Sequence, residues 1–274
     1  MKKIWTLIMA LLLVLAGCAQ SQENKTSIDD QTDSEEISLK VASLIPPMTD
    51  ILEIAKTQLK EDGINLEIVV LSDNIQPNNA LAAKEVDANF FQHVPYMEEY
   101  NEANGTDLVP VQPIYHAIYG VYSKNYETMD ELPEGATIAI ANDPTNIGRS
   151  LAILDQAGVI KLKEGVGIHA TQADIMENPK NYKFEEVDLL MLARMYDDAD
   201  AVIMTPAYAQ PLGLTPKSDA LLTEGLESEF AITLVARSDN ADSEVIQKLA
   251  KSMTSTEVKK FLEEEYGENS IPAF

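Results

Sequence analysis

Two stretches of this sequence concentrate side chains able to hold a small molecule. The first is Phe90-Phe91-Gln92-His93-Val94-Pro95-Tyr96. Its rings offer an apolar wall. Neighbouring residues of a strand face opposite ways, so at least one of Phe90 and Phe91 belongs to the core. Phe91, His93 and Tyr96 are expected in a cleft, and Phe90 in the core. The second stretch is Asn142-Asp143-Pro144-Thr145-Asn146-Ile147-Gly148-Arg149. It reads as a turn running into a helix, with Arg149 in the first helical turn. A planar guanidinium there suits a bidentate grip on a carboxylate. The helix N-terminus adds N–H groups for an anion. The alternative is a surface arginine paired with a local acid. Tyr115 and Tyr119 are weaker candidates, for which core packing is expected, and His116 and His169 receive no role.

The surrounding pattern alternates strands and helices. Residues 37–42 alternate like a strand, and Thr49 or Asp50 is expected to cap a helix through Leu59. Residues 66–71 and 86–90 read as strands, with a short helix over 79–84 between them and another over 95–101 after them. Residues 119–123, 137–141, 183–187, 199–204 and 230–237 read as further strands. Helical spacing covers 148–157, 243–253 and 255–266. Such alternation is the signature of a mainly parallel α/β sheet. The order suggests two lobes, with the chain crossing between them near 119–123 and again near 230–237. A ligand would lie in the cleft at the carboxyl ends of the strands.

Composition limits the function classes. The chain has 274 residues, 45% of them apolar and 24% charged, enough for a sizeable core. Its 20 Lys and Arg against 45 Asp and Glu give a formal charge of −25. That sign disfavours nucleic acid and anionic lipid headgroups as partners. No Gly-x-Ser-x-Gly, His-Glu-x-x-His or phosphate-cradling glycine loop is present, so no enzyme is expected. The three histidines include no i, i+4 pair, which disfavours a zinc- or manganese-binding reading. No cofactor or metal is expected. A non-transport surface interaction protein is the remaining alternative.

The N-terminus has its own logic. Lys2 and Lys3 precede an apolar run from Ile4 to Leu15 that is shorter than the ~20 residues of a membrane span. The run ends in Leu15-Ala16-Gly17-Cys18, which resembles a bacterial lipobox and holds the only cysteine. The resemblance implies cleavage before Cys18 and lipidation of its thiol. The product would be exported and anchored by lipid on the extracytoplasmic face of the cell membrane. Several acyl chains on one residue give stable attachment. Residues 1–17 carry two lysines and no acid, so the mature chain would hold 18 basic and 45 acidic residues, a formal −27. Residues 19–36 lack aromatics and read as an acidic, extended tether.

Asp87-Ala88-Asn89-Phe90-Phe91-Gln92-His93-Val94-Pro95-Tyr96 resembles the DANxFQHxPY motif of the NlpA/MetQ-type family of methionine-binding lipoproteins. Residues 142–151 are similar to that family's NDPTNxGRSL segment, and Glu177-Asn178-Pro179-Lys180-Asn181 fits its pattern. The resemblance covers 38–274. It implies a two-lobed α/β periplasmic-binding-protein fold of type II with two inter-lobe crossing strands. Lobe 1 would take 38–118 plus 238–274, and lobe 2 would take 119–237. It also implies the extracytoplasmic receptor of an ABC importer, with a permease and ATPase complex as partners and an amino acid or small peptide as ligand. Arg149 is then assigned to the ligand carboxylate. Phe91, His93, Tyr96, Asn146 and Tyr208 join the expected ligand-binding set.

Two positions depart from the family. Asparagines that hold the amino acid's polar end are replaced by Thr205, in Val202-Ile203-Met204-Thr205-Pro206-Ala207-Tyr208, and by Ile232, in Phe230-Ala231-Ile232-Thr233-Leu234. A register one residue away would bring Thr233 near the site instead. An amide both donates and accepts, whereas Thr205 keeps one hydroxyl and Ile232 keeps nothing polar. Both positions stay in the expected ligand-binding set, and a carboxylate-bearing ligand is expected ahead of methionine itself.

Overall fold

The computed structural model describes residues 37–225 and 229–274. The expected leader, the lipidated Cys18 and the acidic linker as far as residue 36 lie outside the described residues. The fold opens with strand β1 (Ile37–Ser43), helix α1 (Met48–Glu61), β2 (Ile64–Val70), α2 (Gln76–Ala82), β3 (Ala88–His93), α3 (Val94–Asn104) and β4 (Leu108–His116). The middle runs through β5 (Gly120–Tyr122), β6 (Thr137–Ala141), α4 (Pro144–Gln156), β7 (Lys161–Leu162), β8 (Ile175–Glu177), β9 (Lys183–Val187), α5 (Leu192–Asp198), β10 (Ala201–Met204), α6 (Pro206–Ala209), α7 (Pro216–Asp219) and β11 (Ala220–Thr223). The chain ends with β12 (Ala231–Arg237), α8 (Glu244–Met253), α9 (Thr256–Phe261) and β13 (Ile271–Pro272).

Two α/β sheets result. The six-stranded sheet has the order β13-β4-β12-β3-β1-β2, and the five-stranded sheet the order β11-β5-β10-β6-β9. β1 runs parallel to β2 and β3, while β12 runs antiparallel to β3 and β4. In the second sheet β6 is parallel to β9 and β10, while β5 is antiparallel to β10 and β11. The reversed strands β5 and β12 are the first strands in the chain after each passage between the sheets. The passages themselves are short: residues 117–119, and the stretch between Thr223 and Ala231.

Period-two alternation feeds a core on each face of both sheets. Leu39, Val41, Phe90 and Leu234 pack with Ile51, Leu52, Leu59 and Leu249, whereas Ala42 and Val235 pack with Leu81 and Met97 on the opposite face. In the second sheet Ile138, Ile140 and Ile203 join Leu151 and Leu154. Ala139, Val202 and Met204 face Leu192 and Tyr208.

Several expectations change. Residues 231–237 were assigned to lobe 2, but they pair with β3 and β4 inside the first sheet. Both faces of this strand are buried, as the centre of a sheet requires. α1 begins at Met48 behind Pro47 and carries no side-chain cap from Thr49 or Asp50. α4 begins at Pro144, so Arg149 lies in its second turn. Asp143 is the N-cap and accepts from Asn146 N–H, with proline at the first helical position where no N–H is needed. That cap occupies one of the helix N-terminal N–H groups expected to face an anion. α9 ends at Phe261 and continues as a wider π turn over Leu262–Tyr266. β4 has no counterpart in the sequence reading, because Pro110 and Pro113 argue against a strand. The structure accommodates them beside irregularities in the β12 register.

Gly148 is where α4 meets the turn at Gly167–His169. A Cβ on it would stand 1.8 Å from the Ile168 carbonyl oxygen. Backbone cannot yield as a side-chain tip can, so Gly148→Ala should destabilise the protein by about 1–3 kcal/mol. The urea midpoint should fall with the slope unchanged. An unaltered midpoint would contradict this packing.

Candidate functional site

One cavity gathers the residues singled out by the sequence. Phe91, His93, Tyr96, Asn146, Arg149, Thr205, Tyr208 and Ile232 all line it. About 530 Å³ of space not filled by protein atoms lies within it, open solvent at its mouth included. The first sheet supplies Phe91 and His93 from the end of β3 and Ile232 from β12. The second contributes Asn146 and Arg149 from α4, Thr205 just after β10, and Tyr208 from α6. Phe90, one residue before Phe91, is fully buried in the core of the first sheet.

His93 joins the two sheets. It closes β3 and caps α3, with Nδ1 accepting from Tyr96 N–H at 3.2 Å. That acceptor role leaves the proton on Nε2, which donates to Asn146 Oδ1 at 3.3 Å. Burial, helped by the nearby Arg149 charge, lowers its pKa to about 3, so the ring is neutral at physiological pH. Asn146 Oδ1 also accepts from Tyr119 Oη at 2.8 Å, and its Nδ2 donates to both oxygens of Asp143 at 2.9 and 3.0 Å. Tyr96 stands edge-on to Phe91 and to His93, and its hydroxyl donates to the Asn74 carbonyl at 2.9 Å. Burial and the carboxylates of Asp143, Glu99, Asp73 and Asp188 raise the Tyr96 pKa, so this hydroxyl stays protonated.

Arg149 is neither on the surface nor waiting with an empty fork. Its side chain is 2% exposed and paired with Glu224, itself 7% exposed. Nε donates to Glu224 Oε2 at 2.9 Å, and Nη2 donates to Glu224 Oε1 and to the Ala117 carbonyl at 2.8 Å. Glu224 Oε1 also accepts from Tyr119 N–H at 2.8 Å, and Glu224 N–H donates to the Tyr119 carbonyl at 3.0 Å. The guanidinium carbon lies 3.9 Å from the Tyr119 ring centroid and 4.4 Å from that of Phe230. Both passages between the sheets are thus fastened at one buried ion pair. Nη1 donates to no residue among those described. The bidentate carboxylate partner expected for Arg149 is present, but this chain supplies it.

Sequence reasoning missed Glu224, because one acid among 45 carries no spacing signal. It also missed Met48, Asn74, Gln92, Ala117, Leu189 and Ala207, which line the same cavity. Gln92 belongs to a buried amide network behind the cavity. It exchanges hydrogen bonds with Asn78 at 2.6 and 2.8 Å and donates to Asn89 at 2.9 Å. Polar residues inside the motif at 87–96 were the available signal. Tyr115 and Tyr119, expected in the core, are buried and also line the cavity. Among the described residues, no group of three or more His, Cys, Asp or Glu is placed to hold a metal ion. None of the helices there is long and apolar enough to cross a membrane.

Known proteins resemble this chain over nearly all the described residues. The model of the NlpA lipoprotein family matches residues 39–274. A D-methionine-binding lipoprotein, MetQ, of Salmonella typhimurium is 39% identical over 250 residues, covering 90% of this chain and 88% of that protein. A crystal structure of a YaeC-family lipoprotein from Enterococcus faecalis is 47% identical, with a TM-score of 0.77 over 86% of this chain and 99% of the other. A nutrient-binding protein from Burkholderia cenocepacia, solved bound to methionine, is 36% identical, with a TM-score of 0.83 over 86% of this chain and 100% of the other.

Two outcomes test the site. Glu224→Ala leaves a buried guanidinium uncompensated and should cost about 3–5 kcal/mol in urea unfolding. The double variant Arg149→Met/Glu224→Leu should cost less than that single change, because no charge is stranded. The second test concerns His93. An unfolded histidine takes up its proton near pH 6.5, whereas the folded one does not until about pH 3. Its contribution to stability is therefore complete above pH 6.5 and is lost as the pH falls, at up to ~1.4 kcal/mol per unit. His93→Gln should flatten the stability profile between pH 6 and 4. A profile as steep as the parent's would show that His93 is not the buried neutral base.

Proposed function

The chain belongs to the NlpA lipoprotein family, and on that premise we propose that it is the substrate-binding lipoprotein of an ABC importer. It binds methionine or a related carboxylate-bearing amino acid or small peptide between its two sheets. The observation carrying this reading is the convergence of the two sequence motifs, from different sheets, on one aromatic-walled cavity. The relatives add support, since MetQ is named for D-methionine and the Burkholderia protein was solved with methionine. A thioether finds Phe91, Tyr96 and Met48 on one side of the cavity. Arg149 Nη1, with no described acceptor, is the donor for the ligand carboxylate.

Transport follows from closure. A ligand that touches β3 and β12 on one side and α4 and α6 on the other stabilises the state in which both surround it. The hinge is where the passage at 117–119 meets Glu224 and Phe230, fastened by Arg149. Lipid on Cys18 holds the receptor at the outer face of the cell membrane, where a permease and its ATPase accept the ligand. The protein performs no catalysis, and its chemistry is reversible capture.

Calorimetric titration of a soluble form starting after Cys18, freed of bound ligand by unfolding and refolding, tests this. L- or D-methionine should bind saturably with one site, and scattering should show compaction. Phe91→Ala should weaken binding about tenfold or more, as loss of a buried aromatic contact implies. No heat at millimolar ligand for methionine and its derivatives alike would overturn the proposal.

A further inference from the structure

A second contact between the lobes lies outside the ligand cavity. Helix α3 follows β3 of the first sheet. It carries Glu98, Glu99 and Glu102 on the same face as Pro95, at the i, i+3, i+4 and i+7 spacing of a helix. That face meets Thr145 at the start of α4 and His169 in the turn at 167–169, and the two sides line one cavity. Glu99 also borders a neighbouring cavity, where Asn142, Asp143 and Asp188 stand with α3. Among the described residues, no Lys or Arg lines either cavity.

Glu99 is the group this arrangement leaves unsupported. Its Oε2 is buried and has no hydrogen-bond partner among the described residues. Burial and then the carboxylate of Asp143, on the opposite lobe, raise its pKa above the ordinary 4.5, and Glu102 adds to this. The Thr145 N–H and His169 act against the rise. A carboxylate that loses water without gaining a partner is destabilised far more than its protonated form. Asp143 is not free to turn away, because it caps α4 and holds the Asn146 amide. The penalty belongs to the closed arrangement. With the lobes apart, water returns to Glu99 and the charge of Asp143 is removed from it.

Resting on the reading of capture by closure above, we propose that closing of the lobes takes up a proton at Glu99, so that the receptor holds its ligand more firmly in mildly acidic surroundings than at neutral pH. The sign follows from linkage. A carboxyl that binds its proton more tightly in the closed state favours closure as the pH falls. Affinity climbs while the pH drops from the raised value of the closed state to the ordinary 4.5, and is level on either side. His93 does not contribute, because its own pKa is about 3. His169 is the other titratable group that faces α3 across the seam, and it is exposed.

The test uses the full chain, solubilised in detergent and stripped of ligand by unfolding in urea and refolding. It is titrated by calorimetry with L-methionine, D-methionine and L-methionine sulfoxide from about pH 7.5 down to about pH 5, a range in which these ligands keep their charges. Buffers of different ionisation enthalpy count the protons exchanged. The parent should bind tighter towards the acid end, by up to about tenfold per pH unit, and take up part of a proton. Glu99→Gln, uncharged at every pH, should bind at neutral pH as the parent does in acid, with slope and proton uptake both lost. His169→Asn should keep both. A level profile in the parent, a slope that Glu99→Gln retains, or one lost only in His169→Asn would overturn the inference while leaving the capture reading intact. Absence of binding by all three ligands at millimolar concentration would overturn both.

Discussion

A buried arginine dictates how this chain must pass between its two sheets. A guanidinium 2% exposed needs acceptors around its edge. One acceptor is the Ala117 carbonyl, on the first passage, and the others are the oxygens of Glu224, on the second. Residues separated by 75 positions in sequence are therefore held at one point. Reciprocal hydrogen bonds between Tyr119 and Glu224 lay the two passages side by side. Rings of Tyr119 and Phe230 cover the faces of the guanidinium that hydrogen bonds cannot use. Buried ion pairs often add little net stability, because desolvation offsets attraction. What this pair adds is definition: it fixes where the hinge begins relative to α4, and so where the cavity wall stands.

Asn146 carries that definition across the cavity. It lies on α4 one turn before Arg149, and its single side-chain oxygen receives both Tyr119 from the passage and His93 from the first sheet. Its nitrogen is committed to Asp143, the cap of the same helix. The amide cannot flip without breaking contacts on both sides, so its orientation follows from helix capping. His93 is constrained in the same way, since capping α3 fixes its tautomer and presents Nε2 to Asn146. Two helix caps, each a local consequence of sequence, meet across the cavity and align the sheets.

Much of this was legible in the sequence, and what was not had physical reasons. Alternation put Phe90 and Phe91 on opposite faces, since a strand exposes neighbours to opposite sides, and the resemblance of the motif pointed to a ligand pocket for part of this group. Serines at 243 and 255 marked helix starts, and each accepts a backbone N–H as an N-cap does. The alternating order of strands and helices conveyed a parallel bias and two lobes, since crossover connections need helices. β4 stayed hidden because its prolines forbid regular pairing, and only the displaced register of β12 makes room for them. The strand at 231–237 was recognised but placed in the wrong lobe. An apolar run signals burial on both faces without naming the neighbours. Glu224 was hidden most completely. Ion-pair partners distant in sequence leave no periodic trace, and in an acidic chain every acid is an equal candidate.

The acidity itself looks different from inside the cavity. A formal −25 suggests a field hostile to any carboxylate ligand. Exposed charges are screened over ~8 Å at physiological ionic strength, whereas buried ones are screened far less. The potential at the ligand is therefore set by the few charged groups on the cavity wall, not by the total. Among the described residues Arg149 is the charged side chain on that wall, and Glu224, hydrogen-bonded to it, lines an adjoining cavity that Arg149 also reaches. The site therefore offers one guanidinium edge, internally paired, in a wall whose Tyr96 and Tyr208 also feel the carboxylates of Asp143 and Asp188. An anion that enters is held by local chemistry, and the acidic exterior tends to exclude other anions from the approach.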